Sequence, residues 1–272
     1  MSNVTNQDKD EAIEKLARFG MGAKGAVFVI LGMLTAMAAF NEGGQKAGQS
    51  DALQFIHNQP FGQVLLALLT VGLIGYVVWR FVQAFRDPEN EGDDKKGVAK
   101  RIGYGVSGLL YGFLAYEAIK MLINSGSTGG GGGSKTVVGM LLEQPFGQIL
   151  VGLVAVALFA KGASEIYKAV TEKFMEEISA GQLERKVRET IKNVGKVGLI
   201  ARGIVVGIIG YLFLRAAIES NASQAGGTES AFSFIQSSSY GSILLGIIAI
   251  GLACYGVYMI VKARYKALPS NM

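Results

Sequence analysis

Ionisable and aromatic residues recur at fixed places beside the apolar runs of this chain. Lys24, Ser107 and Arg202 share one repeat position. Tyr76, Lys161 and Tyr255 share a second, and Arg80, Glu165 and Met259 a third. A charge at the centre of an apolar span costs at least ~2.5–3.5 kcal/mol on insertion scales, so each needs a reason. Gathered together, Lys24, Tyr76, Arg80, Lys161, Arg202 and Tyr255 would form a cationic, aromatic ring. That chemistry suits an anionic lipid headgroup or a small anion. The plainer expectation is that these cations extend outward to headgroups beside a tyrosine belt, because all of them lie near helix ends. Lys161 and Glu165 are four apart and suited to an ion pair, as are Arg215 and Glu219; Glu117 and Lys120 are three apart.

Other chemistry is poorly supplied. His57 is the single histidine and Cys254 the single cysteine. Neither a metal cluster nor a nucleophilic triad can be assembled from them. Cys254 cannot form an internal disulfide. The run Gly103-Tyr104-Gly105-Val106-Ser107-Gly108 spells GxGxxG, but no strand precedes it and an apolar run follows, so the dinucleotide reading fails. The expectation is a protein that is no enzyme and carries no cofactor.

The elements that would position these residues come in three copies. Residues 59–66 read QPFGQVLL, 144–151 read QPFGQILV and 238–245 read SSYGSILL. Ahead of each stands RFGMGAKG at 18–25, KRIGYGVSG at 100–108 or KVGLIARG at 196–203. These give a basic residue (Arg18, Arg101, Lys196), an apolar residue, then Gly20/Gly25, Gly103/Gly108 or Gly198/Gly203. Gly108 and Gly112 are four apart, as are Gly203 and Gly207. Small residues at this spacing let helix backbones approach in a membrane, so these eight glycines are expected at helix contacts.

Each phrase opens an apolar run. No Asp, Glu, Lys or Arg occurs in 25–41, 52–79, 102–116, 144–160, 203–214 or 230–261. A spanning helix needs about 20 mostly apolar residues. The fifth window is short, but Arg202 and Arg215 stand at its ends, roughly 20 Å apart, where long cationic side chains reach headgroups. The reading is six spans near 19–40, 61–85, 102–123, 146–170, 198–219 and 241–263. Twenty-two of the 26 Lys and Arg then fall on one side; Lys46, Lys120, Lys135 and Arg215 fall on the other. Basic residues mark cytoplasmic loops, so both termini are expected in the cytoplasm. The sequence pI near 9.2 is thereby a topology signal that also attracts anionic headgroups, with no nucleic-acid footprint. Ala36-Met37-Ala38 imitates a signal-peptide cleavage site, but the motif ahead of it returns twice inside the chain, which favours a structural helix.

The organisation read from this is a cytoplasmic tail or short helix (1–15), repeat 1 (16–88), repeat 2 (89–170), an amphipathic cytoplasmic linker (171–193), repeat 3 (194–266) and a tail (267–272). Residues 1–7 are expected to be disordered and 8–18 helical. Each outer loop carries an apolar piece (Ala52–Ile56, Val137–Leu141, Ala231–Ile235), expected as a short interfacial helix. Pro60 and Pro145 suit the first turn of the following span. Gly129–Gly133 reads as a flexible linker. In 171–196, Phe174, Ile178, Leu183, Val187, Ile191 and Val194 follow helical spacing, with Gly181 separating two pieces. The segment would lie on the membrane surface or dock a cytoplasmic partner protein.

With its basic-apolar-glycine opening and its QPFG-type second phrase, the tandem unit resembles the bacterial membrane family called domain of unknown function 1206, over residues 16–266. The resemblance implies a six-span bacterial inner-membrane protein of three parallel repeats. It implies no activity and no functional residues. Repeat 3 departs at SSYGS, and repeat 2 has Ala160-Lys161 where repeat 1 has Gly75-Tyr76. The expected fold is all-α, with three parallel helical hairpins in pseudo-threefold array. The expected function is a non-catalytic module binding lipid or protein. The alternative is a small transporter or channel for an anionic or small solute.

Overall fold

The computed structural model describes residues 2–40, 48–124, 133–178 and 185–265. Among the described residues there are nine α-helices and no strand: α1 (Ser2–Ala39), α2 (Gln49–His57), α3 (Gly62–Phe85), α4 (Lys95–Asn124), α5 (Gly133–Leu142), α6 (Gly147–Val170), α7 (Arg185–Ile218), α8 (Thr228–Gln236) and α9 (Gly241–Tyr265). Six are long and apolar enough to span a bilayer: α1 through Glu14–Ala39, then α3, α4, α6, α7 and α9. The protein is a multi-pass membrane protein of three two-span repeats. The short helices α2, α5 and α8 precede the second span of each repeat.

The QPFG and SSYG phrases make the sharp turns from these short helices into the spans. In each, a glycine N–H donates three residues back, Gly62 to Gln59 (2.7 Å), Gly147 to Gln144 (2.9 Å) and Gly241 to Ser238 (2.9 Å). A Cβ on Gly62, Gly147 or Gly241 would collide with a carbonyl oxygen of the short helix just left. Only glycine lets the chain fold back this tightly. Phe61 and Phe146 cap α3 and α6 in the left-handed conformation, at φ 60° and 64°. Pro60 and Pro145 therefore precede the cap, two residues ahead of the first-turn placement expected. Phe61, Phe146 and Tyr240 are exposed, as an aromatic belt requires.

The spans pack in the order α6, α7, α9, α1, α3, α4. This is an open row, and it departs from a closed threefold array. The hairpins of repeat 1 (α1, α3) and repeat 3 (α7, α9) are packed; in repeat 2, α4 and α6 form the two ends of the row. The glycines explain the contacts. A Cβ at Gly20 or Gly198 would strike the backbone of Tyr76 or Tyr255, inside one repeat. The second glycine works between repeats, with a Cβ at Gly25 reaching the Gly256 carbonyl (2.7 Å) and one at Gly203 the Gly162 carbonyl (2.8 Å). A Cβ at Gly108 would meet the Phe81 ring at 3.3 Å, and one at Gly112 only Val77 at 3.9 Å. Two of the eight glycines correct the expectation: space around a Cβ at Gly103 or Gly207 is open. Gly207 still lends its backbone nitrogen to Gly162, where a Cβ would stand 3.1 Å from it. Gly103 fails because its partner span is not there.

The charged ends also differ from expectation. α1 runs unbroken from Ser2, with no separate tail and surface helix. α7 begins at Arg185 and continues through the span for 34 residues, ~51 Å of helix. That exceeds ~30 Å of hydrocarbon, so its charged half projects from the membrane. Gly129 to Gly132, Gly181, Leu183 and residues 267–272 lie outside the described residues. Phe174 is buried edge-on against Tyr258 (5.4 Å between ring centres) and over Gly195. Phe174, Ile178 and Ile191 are all buried within the protein. These three apolar residues of the linker pattern thus pack against the protein itself. Among the described residues of this pattern, Val187 is exposed. Glu117 accepts a hydrogen bond from Ser50 and Lys120 lies over Tyr116, so these two do not pair with each other. Arg215 and Glu219 do pair, at 2.7 Å.

Candidate functional site

Lys24 stands six residues inside Arg18, Arg202 six inside Lys196, and Arg80 six before Arg86. Each is therefore about 9 Å along its helix from the basic rim. α1 lies mid-row between α9 and α3, so Lys24 cannot extend to headgroups as expected. It is 2% exposed. Its ammonium donates to the Tyr76 hydroxyl oxygen (2.9 Å). It also lies 4.6 Å from the centre of the Tyr111 ring, 4.7 Å from Tyr76, 5.8 Å from Tyr255 and 6.0 Å from Phe28. Ring faces carry partial negative charge, and so replace part of the hydration the ammonium has lost.

Arg80 approaches the same phenol from the other side. Its Nε donates to the Tyr76 hydroxyl (2.8 Å) and its Nη1 to Gln83 Oε1 (2.9 Å). Gln83 Nε2 passes the chain on to Glu89 (2.8 Å), and Tyr104 donates toward Glu89 and Glu91 (3.1 and 3.0 Å). Arg202 from α7 is ion-paired with Glu165 of α6 and lies over Tyr255 (4.8 Å) and Phe28 (5.7 Å). Lys161 forms the expected pair with Glu165 (3.2 Å), but its side chain is 58% exposed.

All six spans thus contribute to one cluster: Lys24 and Phe28, Tyr76 and Arg80, Tyr111, Lys161 and Glu165, Arg202, and Tyr255. The six residues singled out in the sequence are all part of it. Tyr111 and Phe28 were missed. They share one repeat position, an aromatic pair that could have been found by extending the alignment a turn further. The cluster holds four cations and one carboxylate, the buried Glu165, which pairs with Lys161 and Arg202, while Arg80 connects through Gln83 to Glu89. Burying charge is tolerable only with pairing, so this surplus of positive charge is costly unless an anion joins it. The buried Tyr111 hydroxyl has no hydrogen-bond partner, and neither has Glu165 Oε2.

Outside the spans, a second charge cluster pins the linker. Burial would raise the Glu177 carboxyl, but Lys262 and Lys168 outweigh it and hold it well below the usual carboxylate range. Lys192 holds Glu172 below its ordinary value (2.8 Å). The backbone N–H groups of Glu91 and Gly92 do the same for Asp87, which forms the turn ahead of α4.

Comparison with known proteins supports the repeat reading. The family described as Domain of Unknown Function (DUF1206) matches three times, over residues 19–87, 102–172 and 197–266. An uncharacterized protein of Bacillus subtilis (strain 168), YxxB, is 33% identical over 266 residues, covering 98% of this chain and 95% of its own length. No solved structure matches. The three matched segments coincide with the three two-span units that build the cluster, and the chain therefore belongs to the DUF1206 family.

Proposed function

We propose that this protein is a non-catalytic membrane module that binds the anionic headgroup of a lipid at the cationic–aromatic cluster. One observation carries the reading: Lys24, Arg80, Arg202 and Lys161 converge on a site with one carboxylate, and a buried Tyr111 hydroxyl there has an unused donor. An anionic headgroup would supply the missing charge and accept from that hydroxyl. The depth of the cluster fits, because it lies about 9 Å from the Lys/Arg-rich rim. On the positive-inside rule that rim is cytoplasmic, placing both termini inside a bacterial inner membrane whose cytoplasmic leaflet carries anionic lipid. Reporter fusions after Gly133 and Tyr265 test this; activity on the same side of the membrane would overturn it.

The binding test is native mass spectrometry of the purified protein with equal phosphatidylglycerol and phosphatidylcholine. Preferential retention of phosphatidylglycerol is expected. Lys161→Met should reduce it about fivefold, the worth of one cation near an anionic headgroup. Equal retention of both lipids by the wild type would refute the reading. Passage of an anion through the row is the second reading. Against it stands the burial of Tyr76 and Tyr255 within the cluster, which favours holding over conduction. Flux of chloride or phosphate into proteoliposomes, lost in Lys161→Ala, would reverse that preference.

A further inference from the structure

Repeat 2 fails to close where repeats 1 and 3 do, and its sequence says why. In repeat 1, Ala23 packs against Gly72; in repeat 3, Ala201 packs against Gly251. The matching residues in repeat 2 are Val106 and Ala157. A Cβ at Gly72 would already stand 2.5 Å from Ala23 Cβ, so the Val106–Ala157 combination cannot be brought as close. The consequence is visible in burial. Val27 and Val205 are 0% and 3% exposed, whereas their counterpart Leu110 is 63% exposed. Ala23 and Ala201 are buried, whereas Val106 is 51% exposed. On α6, Val154, Ala157 and Lys161 are exposed where Leu69, Gly72 and Tyr76 are buried.

The α6 face left open is apolar at Val154 and Ala157, as that of α4 is at Leu110 and Val106. Toward the basic end of the row it meets Lys161, which pairs with Glu165 beside Arg202. One occupant matches an apolar gap ending in surplus cations within a bilayer. We propose that the opening between α4 and α6 is a lateral slot for a single anionic phospholipid, its acyl chains between the two helices and its phosphate at Lys161 and Arg202. The inference rests on the headgroup-binding reading and adds the route and the selective residue.

Tryptophan quenching tests it in the full-length protein. Leu110→Trp places a reporter in the slot, and Ile250→Trp places one on an exposed face of α9. The buried Trp79 is a shared background. In vesicles with acyl-brominated lipid, Leu110→Trp should respond about fivefold more strongly to dilute brominated phosphatidylglycerol than to brominated phosphatidylcholine. Ile250→Trp should respond equally to both. Adding Lys161→Met should abolish the preference at Leu110→Trp. Quenching at Ile250→Trp with none at Leu110→Trp would mean that protein, from this chain or a second copy, fills the gap, and would overturn the slot. Equal quenching of Leu110→Trp by both lipids would overturn it as well. In either case, phosphatidylglycerol retained by the wild type in native mass spectrometry would leave the headgroup reading standing.

Discussion

The hairpins of repeats 1 and 3 close at Gly20 and Gly198, while Gly103 of repeat 2 occupies the same repeat position and faces open space, where an added Cβ would meet nothing within 4 Å. The difference lies in what surrounds the glycine. Repeats 1 and 3 set Ala against Gly and place Tyr76 or Tyr255 behind the contact. Repeat 2 sets Val106 against Ala157 and places Lys161 there. Helices in a membrane are held by close packing, with little hydrophobic drive between them. Two extra methyl groups on one side chain and one on the facing residue are therefore enough to part a pair. Repeat 2 is also where the cluster keeps its one carboxylate and its most exposed cation. A glycine motif shows that a helix can approach a neighbour, and the opposite face decides whether it does.

The sharpest way to break this comparison is at the carboxylate peculiar to repeat 2. Glu165→Gln should cost about 4 kcal/mol, because it leaves Arg202 buried and unpaired. A loss under about 1 kcal/mol in detergent unfolding would show that Arg202 finds other support. Next comes the glycine itself. Gly20→Val should destabilise by about 3 kcal/mol through overpacking against Tyr76, whereas Gly103→Val should stay within about 0.5 kcal/mol. Equal losses in thermal unfolding would place α4 against α6 after all.

A conversion experiment sharpens the same contrast. In a Cys254→Ser background, cysteines at Gly103 and Lys161 should not join on oxidation, since a disulfide needs Cα atoms within about 7 Å. Adding Val106→Ala and Ala157→Gly should let them join. A bond already formed without those two changes would contradict the open row. The smallest effect concerns the linker. Glu177 binds its proton less readily when folded than when unfolded. Its stabilisation is therefore complete above its ordinary value of 4.5 and declines as pH falls below that. Midpoints measured between pH 3 and 7 should show a steeper acid-side fall in wild type than in Glu177→Gln. Parallel curves would mean that Lys262 and Lys168 do not act through Glu177.

Much of the architecture was legible because it depends on local composition. Charge-free windows gave the spans, and the QPFG and SSYG phrases gave the turns, where glycine is required by contact within a few residues. The members of the cluster were legible too, because repeat alignment puts Lys24 with Arg202 and Tyr76 with Tyr255. Their state was not. Lys24 is near a helix end in the sequence, which suggests reach toward headgroups, and only α1's place between α9 and α3 traps it among rings. The linker likewise has an amphipathic pattern suited to a membrane surface, but Phe174 found Tyr258 and Gly195, residues far along the chain.

What the residues alone determined is the set of helices, their hydrophobic lengths, their threefold repetition and the sorting of charge to one end. These follow from the cost of burying charge in hydrocarbon and from close contacts within single turns. What the tertiary structure decided is which hairpins close, which cation is caged and where the row stays open. Those outcomes depend on pairs of surfaces meeting across helices, and a single Cβ on either face of such a pair changes the result.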